Sequence, residues 1–148
     1  MGGFKLKAIT IKQPWATLIA LGEKKYETRS WQTKHRGPLA IHAGKSIDKE
    51  ACEYPPIKQA LQKHGILDFK NLPTGCVIAT TEIIACHKIP SDETPEGIEF
   101  GKKLVGNEVY FGDFDTGRFA WELVNLQVLS EPTPAKGQLS LWNWDETR

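Results

Sequence analysis

Apolar and polar positions alternate in short runs along most of this chain, and helical spacing appears in few places. "AITIK", Ala8 to Lys12, alternates and is β-branched, which predicts a strand. Trp15, Leu18 and Ile19 then follow at helical spacing behind Pro14, a residue suited to a first helical position, and Gly22 supplies a stop. "KKYETRSW" predicts a second strand, with Tyr26 and Thr28 on one face and Glu27, Arg29 and Trp31 on the other. "HRGP" reads as a turn and "LAIHA" as a third strand. Residues 46–64 read as helical, with Ser46 as a candidate N-cap. Pro55-Pro56 breaks that run, so a second helix is expected from about Pro56. Cys76 to Ile89 is the longest β-like run, bent or bulged midway. "PSDETPEGIEFG" reads as an acidic loop. "YFGDFDTGRFAWELVNLQVL" reads as an aromatic loop and then a strand from Phe119 to Leu129, and "SEPTPAKGQLSLWNWD" as a Pro/Gly-rich tail. Five or more strands with few helices predict a small barrel. No repeat, low-complexity tract or linker divides the chain, so residues 1–148 are expected to form one domain.

Composition narrows the partners. With 40% hydrophobic and 25% charged residues the chain falls among ordinary globular proteins, not disordered ones. No apolar run is long enough to span a bilayer, and "MGGFKLKAITIK" lacks the uninterrupted apolar stretch of a signal peptide, so no membrane partner is expected. Cys52, Cys76 and Cys86 are odd in number and form no CxxC, which argues for a reducing compartment, the cytoplasm, and against a disulfide framework or zinc site. His35, His42, His64 and His87 have no metal-ligand spacing, so neither a metal nor another cofactor is expected. The net charge of +1 is unevenly spread. Residues 1–49 hold ten Lys/Arg against three Asp/Glu, and residues 50–148 hold nine against fifteen. This allows a local basic face for phosphate without a strongly basic whole.

The candidate chemistry lies in the second strand. An alternating strand ordinarily solvates its charged face, and large aromatics such as Trp15, Trp121 and Trp142 ordinarily belong to the core. Here, however, Lys24 sits where helix end meets strand start, and Glu27 and Arg29 share a face. Burying a lysine, or placing it beside an arginine, lowers its pKa and makes it a base or nucleophile. A nearby carboxylate either holds such a lysine charged or activates water; position alone leaves both open. No GxSxG or phosphate-cradling glycine loop is present, and Cys76 and Cys86 read as buried strand residues. A second candidate set is Trp31 with Lys34, His35, Arg36 and Lys45. Cations beside an aromatic are the ordinary means of gripping a single strand of RNA or DNA.

"GEKKYETR", Gly22 to Arg29, matches the G-x-K-x-x-E-x-R signature of the ASCH family, the activating signal cointegrator homology domains. "IKQPWATLIALG" before it resembles the family's Q-P-W-A helix, and "SWQTKHRGPLAIHA", "PTGCVIATTEI" and "GRFAWEL" extend the likeness over nearly the whole chain. The resemblance implies an α+β, PUA-like fold: a mixed β pseudo-barrel with flanking helices and a cleft beside the signature. Relatives include nucleic-acid-binding modules, a bacterial ribonuclease, and small bacterial amidohydrolases that deacylate N(4)-acetylcytidine. The amidohydrolases use a lysine, a threonine and a glutamate. The lysine falls on Lys24, and Glu27 stands where the threonine would be. The glutamate, counted without gaps from Cys76, falls on Glu99, with Glu93 and Glu96 as alternatives. On this reading Lys24, Glu27 and Glu99 are catalytic, Arg29 binds substrate, Trp15 or Phe114 stacks on the base, and the substrate is a modified nucleoside. The alternative is an RNA- or single-stranded-DNA-binding module, with ribonuclease activity as a further option.

Overall fold

The computed structural model describes residues 5–145. Its elements are β1 (Lys5–Gln13), α1 (Trp15–Ala20), β2 (Tyr26–Arg29), β3 (Gly37–Ile47), α2 (Lys49–Glu53), α3 (Pro55–Lys63), β4 (Cys76–Lys88), α4 (Pro95–Gly101), β5 (Phe119–Pro134) and β6 (Trp142–Asp145). The strands form one mixed sheet in the order β2-β5-β4-β3-β1-β6. Among the described strands only β1 and β3 run parallel, and α1 with β2 makes the crossover that a parallel pair needs. The α+β, PUA-like class expected from the sequence is borne out. Among the described residues no helix is long and apolar enough to cross a membrane.

The expected bend in the long central strand is present: the β4–β5 register shifts between Val77 and Ala79, Thr80 and Glu82, and Ile83 and Ala85. The latter two shifts offset the strands by one residue, as a bulge does, and bend the strand there. Other expectations need correction. Ser46 is not a helix cap, because β3 runs on to Ile47, which pairs with Gln13 of β1. Asp48 is the cap, its carboxylate accepting from the Ala51 N–H at 2.9 Å. The break and the second helix are as expected, the helix starting at Pro55. The acidic loop contains α4, started by Thr94, whose hydroxyl accepts from the Gly97 N–H at 3.1 Å, with Pro95 in the first turn. The Pro/Gly-rich tail is largely strand: β5 reaches Pro134, and β6 pairs with β1. In β6 the alternation is visible, with Trp142 and Trp144 buried against Ala8, Ala40 and Val77 and Asn143 exposed.

Two cores meet at α1. One face of the helix lies on the sheet, with Ala16 and Ile19 against Ile9, Ile41, Ile83 and Trp121. From its other flank Leu18 packs with Cys52, Ile57, Ala60 and Leu61 of α2 and α3, and with Phe111. Phe111 closes a 3-10 turn, Glu108–Phe111, and is 1% exposed. Burying such a ring is worth roughly 2–3 kcal/mol, which ties this turn, far along the chain, to the side of α1 where β2 begins.

Candidate functional site

Gly22 ends α1 in the left-handed region, at φ +77°. The N–H groups of Glu23 and Lys24 then fold back onto the Leu18 carbonyl at 3.0 and 3.1 Å. This stop carries Lys24 into the protein, where it is only 3% exposed. Its Nζ donates to the Phe111 carbonyl at 2.7 Å and stands 3.9 Å from Glu27 Oε1. Glu27 is 6% exposed. Its Oε2 accepts from Arg29 Nε at 2.9 Å and lies 2.8 Å from Arg29 Nη2, which also donates to the Thr10 carbonyl at 3.0 Å. The three side chains line one open cleft of about 600 Å³, walled by residues of β1, α1, β2 and the 3-10 turn and the loop after it. Trp15, Trp31 and Tyr110 supply aromatic wall, and Lys12, Asp113 and Arg118 supply charge.

Burial strips water from the Lys24 ammonium and lowers its pKa. Glu27 and then Glu108 oppose that shift, and Arg29 adds to it. Glu108 itself is buried behind the wall. Its carboxylate accepts from the Lys25 N–H at 2.9 and 3.1 Å and from the Tyr26 N–H at 3.2 Å. Burial raises its pKa, against the pull of the Lys25 amide and of Lys24. The 3-10 turn thus holds the start of β2 twice: Glu108 fixes the backbone just after Lys24, and the Phe111 carbonyl fixes the lysine side chain. A buried, perturbed lysine with a specific charge partner in a cleft marks a candidate functional site.

The structure brings together Lys24, Glu27, Arg29, Trp15 and Trp31. It separates the others. Phe114 is outside the cleft lining, packed with Tyr26 and Phe100 at ring-centroid distances of 6.5 and 6.3 Å, but its ring edge rests beside Gly112, close to Lys24. Glu99 is exposed on α4, paired with Lys102 at 3.0 Å, and with Glu96 it lines a different concavity beside His87. Glu93 is exposed ahead of α4. The gap-free count fails because α4 and the 3-10 turn intervene between β4 and β5; the glutamate beyond the central strand whose charge acts on Lys24 is Glu108, bonded to the amides of Lys25 and Tyr26. Of the cationic set only Trp31 enters the cleft, edge-on to Trp121 at 5.0 Å. Lys34 is exposed, Arg36 donates to the Thr33 and His35 carbonyls at 2.9 Å, and His35 Nε2 donates to the Pro38 carbonyl at 2.9 Å. Lys45 lies apart, its side chain along Gly75. Thr28 joins the lining although alternation turns it from Glu27. Its hydroxyl accepts from the Asp113 N–H at 3.1 Å, because the loop after the 3-10 turn covers that side of the edge strand. Sequence reasoning missed Thr10, Tyr110, Asp113 and Arg118; the turn-rich "FGDFDTGR" marked a loop but not where it folds.

A family model for the ASCH domain matches residues 9–133. Activating signal cointegrator 1 of Homo sapiens is 34% identical over 141 residues, and its counterpart in Mus musculus is 35% identical over the same length. Each match covers 93% of this chain and 22% of the relative, so the chain spans about a fifth of the length of these relatives. The crystal structure of ASCH from Zymomonas mobilis superposes with a TM-score of 0.56 at 15% identity, covering 92% of this chain and 85% of that one, a likeness of fold. This chain belongs to the ASCH domain family.

Proposed function

We propose that the cleft hydrolyses the acyl amide of an N(4)-acylated cytosine nucleoside. One observation carries this reading: a buried lysine and a buried carboxylate stand 3.9 Å apart in an open, aromatic-walled cleft. The volume of about 600 Å³ accommodates a nucleoside. In the proposed reaction the base stacks on Trp15 or Trp31. Glu27 takes a proton from water, and the oxygen attacks the acyl carbon. Arg29 and Lys24 stabilise the charge that develops on the carbonyl oxygen. The carbon–nitrogen bond breaks as Lys24 protonates the leaving N(4) amine, and the proton held by Glu27 restores the lysine. One water is consumed, and a carboxylic acid and the free amine are released. A lysine with a lowered pKa gives up its proton more readily, which suits the donor's part.

A second reading is supported by the charge of the cleft. Lys12, Lys24, Arg29 and Arg118 line it against Glu27 and Asp113, so a cationic excess faces the ligand. That excess favours an anionic partner, RNA or single-stranded DNA, held by phosphate contacts and stacking. A release assay with a panel of N(4)-acylcytidines, run beside RNA titrations, separates the two. Release by the wild type that is lost in Glu27→Gln supports hydrolysis. No release above buffer, together with salt-sensitive RNA binding, overturns it.

A further inference from the structure

Thr10 has two sides. Its carbonyl holds Arg29 in the cleft, while its hydroxyl faces a second concavity of about 860 Å³. That hydroxyl accepts from Trp142 Nε1 at 3.1 Å and lies 3.2 Å from His42 Nδ1. His42 is 2% exposed, its Nε2 lies 2.7 Å from the Ala135 carbonyl, and its ring meets Trp142 edge-on at 5.5 Å. A neutral imidazole satisfies every contact: Nε2–H donates to Ala135, and Nδ1 accepts from Thr10. The floor of this bowl is therefore fixed by packing and hydrogen bonds.

Among the described residues the lining contains no carboxylate. Its charged side chains are Lys45 and Lys136, both exposed. Between them run the backbones of Gly44, Gly75 and Gly137. A Cβ on Gly137 would come within 2.9 Å of Thr10 Oγ1 and 3.0 Å of His42 Cε1, so this loop rests directly on the floor and only glycine fits there. Pro134, Ala135 and Leu139 form an apolar wall, and Leu139 is 93% exposed at the lip. Two ammonium groups above a bowl with an apolar side and no acid match a molecule with a flat organic body and a phosphate.

We infer that this bowl binds a phosphate-bearing nucleotide, its phosphate on Lys45 and Lys136 and its base against Pro134, Ala135 and Leu139. The inference is independent of the deacylation reading. The ligand is either a free mononucleotide or one unit of a strand whose neighbour occupies the cleft across Thr10.

Amide NMR titrations of the full chain with cytidine monophosphate, a cytidine dinucleotide and unphosphorylated cytidine test it. The monophosphate should move the amides of Gly44, Gly75 and Gly137 and bind more tightly than cytidine. The double variant Lys45→Glu/Lys136→Glu should weaken it on the order of tenfold, as expected for reversing two exposed phosphate contacts of modest strength each. Lys102→Glu/Lys103→Glu, two exposed lysines outside the bowl lining, should leave it unchanged. If the dinucleotide binds more tightly and also moves the Trp15 and Trp31 indoles, the source is a strand; equal affinity points to a free nucleotide. Shifts confined to the cleft, or wild-type affinity in a well-folded Lys45→Glu/Lys136→Glu protein, would overturn the inference.

Discussion

Lys24 and Phe111 meet through a 2.7 Å hydrogen bond that joins the start of β2 to a turn 87 residues later. The carbonyl that takes the ammonium belongs to the residue whose ring is locked between α1 and α3. Packing in the second core therefore decides where the lysine's proton sits.

Replacing Lys24 by methionine keeps the volume and removes the donor. Deacylation should fall by about 100-fold or more, the usual share of a general acid. The Phe111 carbonyl loses its partner, at about 1–3 kcal/mol, partly offset because an ammonium no longer has to be buried. Urea unfolding should show a folded variant of modestly altered stability. Full activity in that variant would sink the mechanism.

Glu27→Gln retains the shape of the side chain and loses the base. The decrease should lie mainly in kcat, with KM much less affected, since base catalysis acts only in the transition state. Were Glu27→Gln fully active and Thr28→Ala dead, the two β2 residues would have exchanged roles.

Stability should depend on pH through Lys24. Its folded pKa lies below the unfolded one. Between the two values the unfolded chain binds more protons, so stability rises with pH there. The contribution is full above the unfolded pKa and is lost as pH falls through the folded one. Wild type should therefore gain on Lys24→Met as pH rises through the window between the lowered folded pKa and the ordinary unfolded one. Urea midpoints of both proteins measure this; curves that stay parallel would contradict a lowered lysine.

Glu108→Ala leaves the Lys25 and Tyr26 N–H groups without their carboxylate and should cost about 1–3 kcal/mol. Glu108→Gln keeps one acceptor oxygen and should cost less. Thermal unfolding distinguishes them, and equal Tm values would show that the amides find other partners.

Reversing Lys34 and Arg36 should barely change turnover of a neutral acylcytidine, because both side chains are exposed beyond the cleft lining. If the chain grips RNA through this loop, the same variant should bind all sequences more weakly and with a shallower salt dependence. A steep loss of deacylation instead would place the loop in the catalytic site.

Much of this protein is written locally. β-branched alternation marks β1, helical spacing behind Pro14 marks α1, and Gly22 ends it where a left-handed residue is needed. The signature puts Glu27 and Arg29 on one strand face, and their 2.8 Å contact follows from that alternation alone. Caps such as Thr94 and Asp48 are also local signals, but the acidic run hid the first, and continued pairing of β3 moved the start of α2 from Ser46 to Asp48. The burial of Lys24 has no local signature, since a lysine after a helix stop is ordinarily solvated. It depends on a 3-10 turn drawn onto α1 by Phe111, and on Glu108, remote in sequence, closing on the amides of Lys25 and Tyr26. Periodicity reports which face of an element is apolar; it carries no record of which distant loop will cover that element's end. Glu99 falls outside the cleft for that reason. Its neighbours along the chain are plain to read, but packing of α4 turns it away from the cleft, while Phe114 joins the aromatic cluster at β2 with its ring edge beside Gly112.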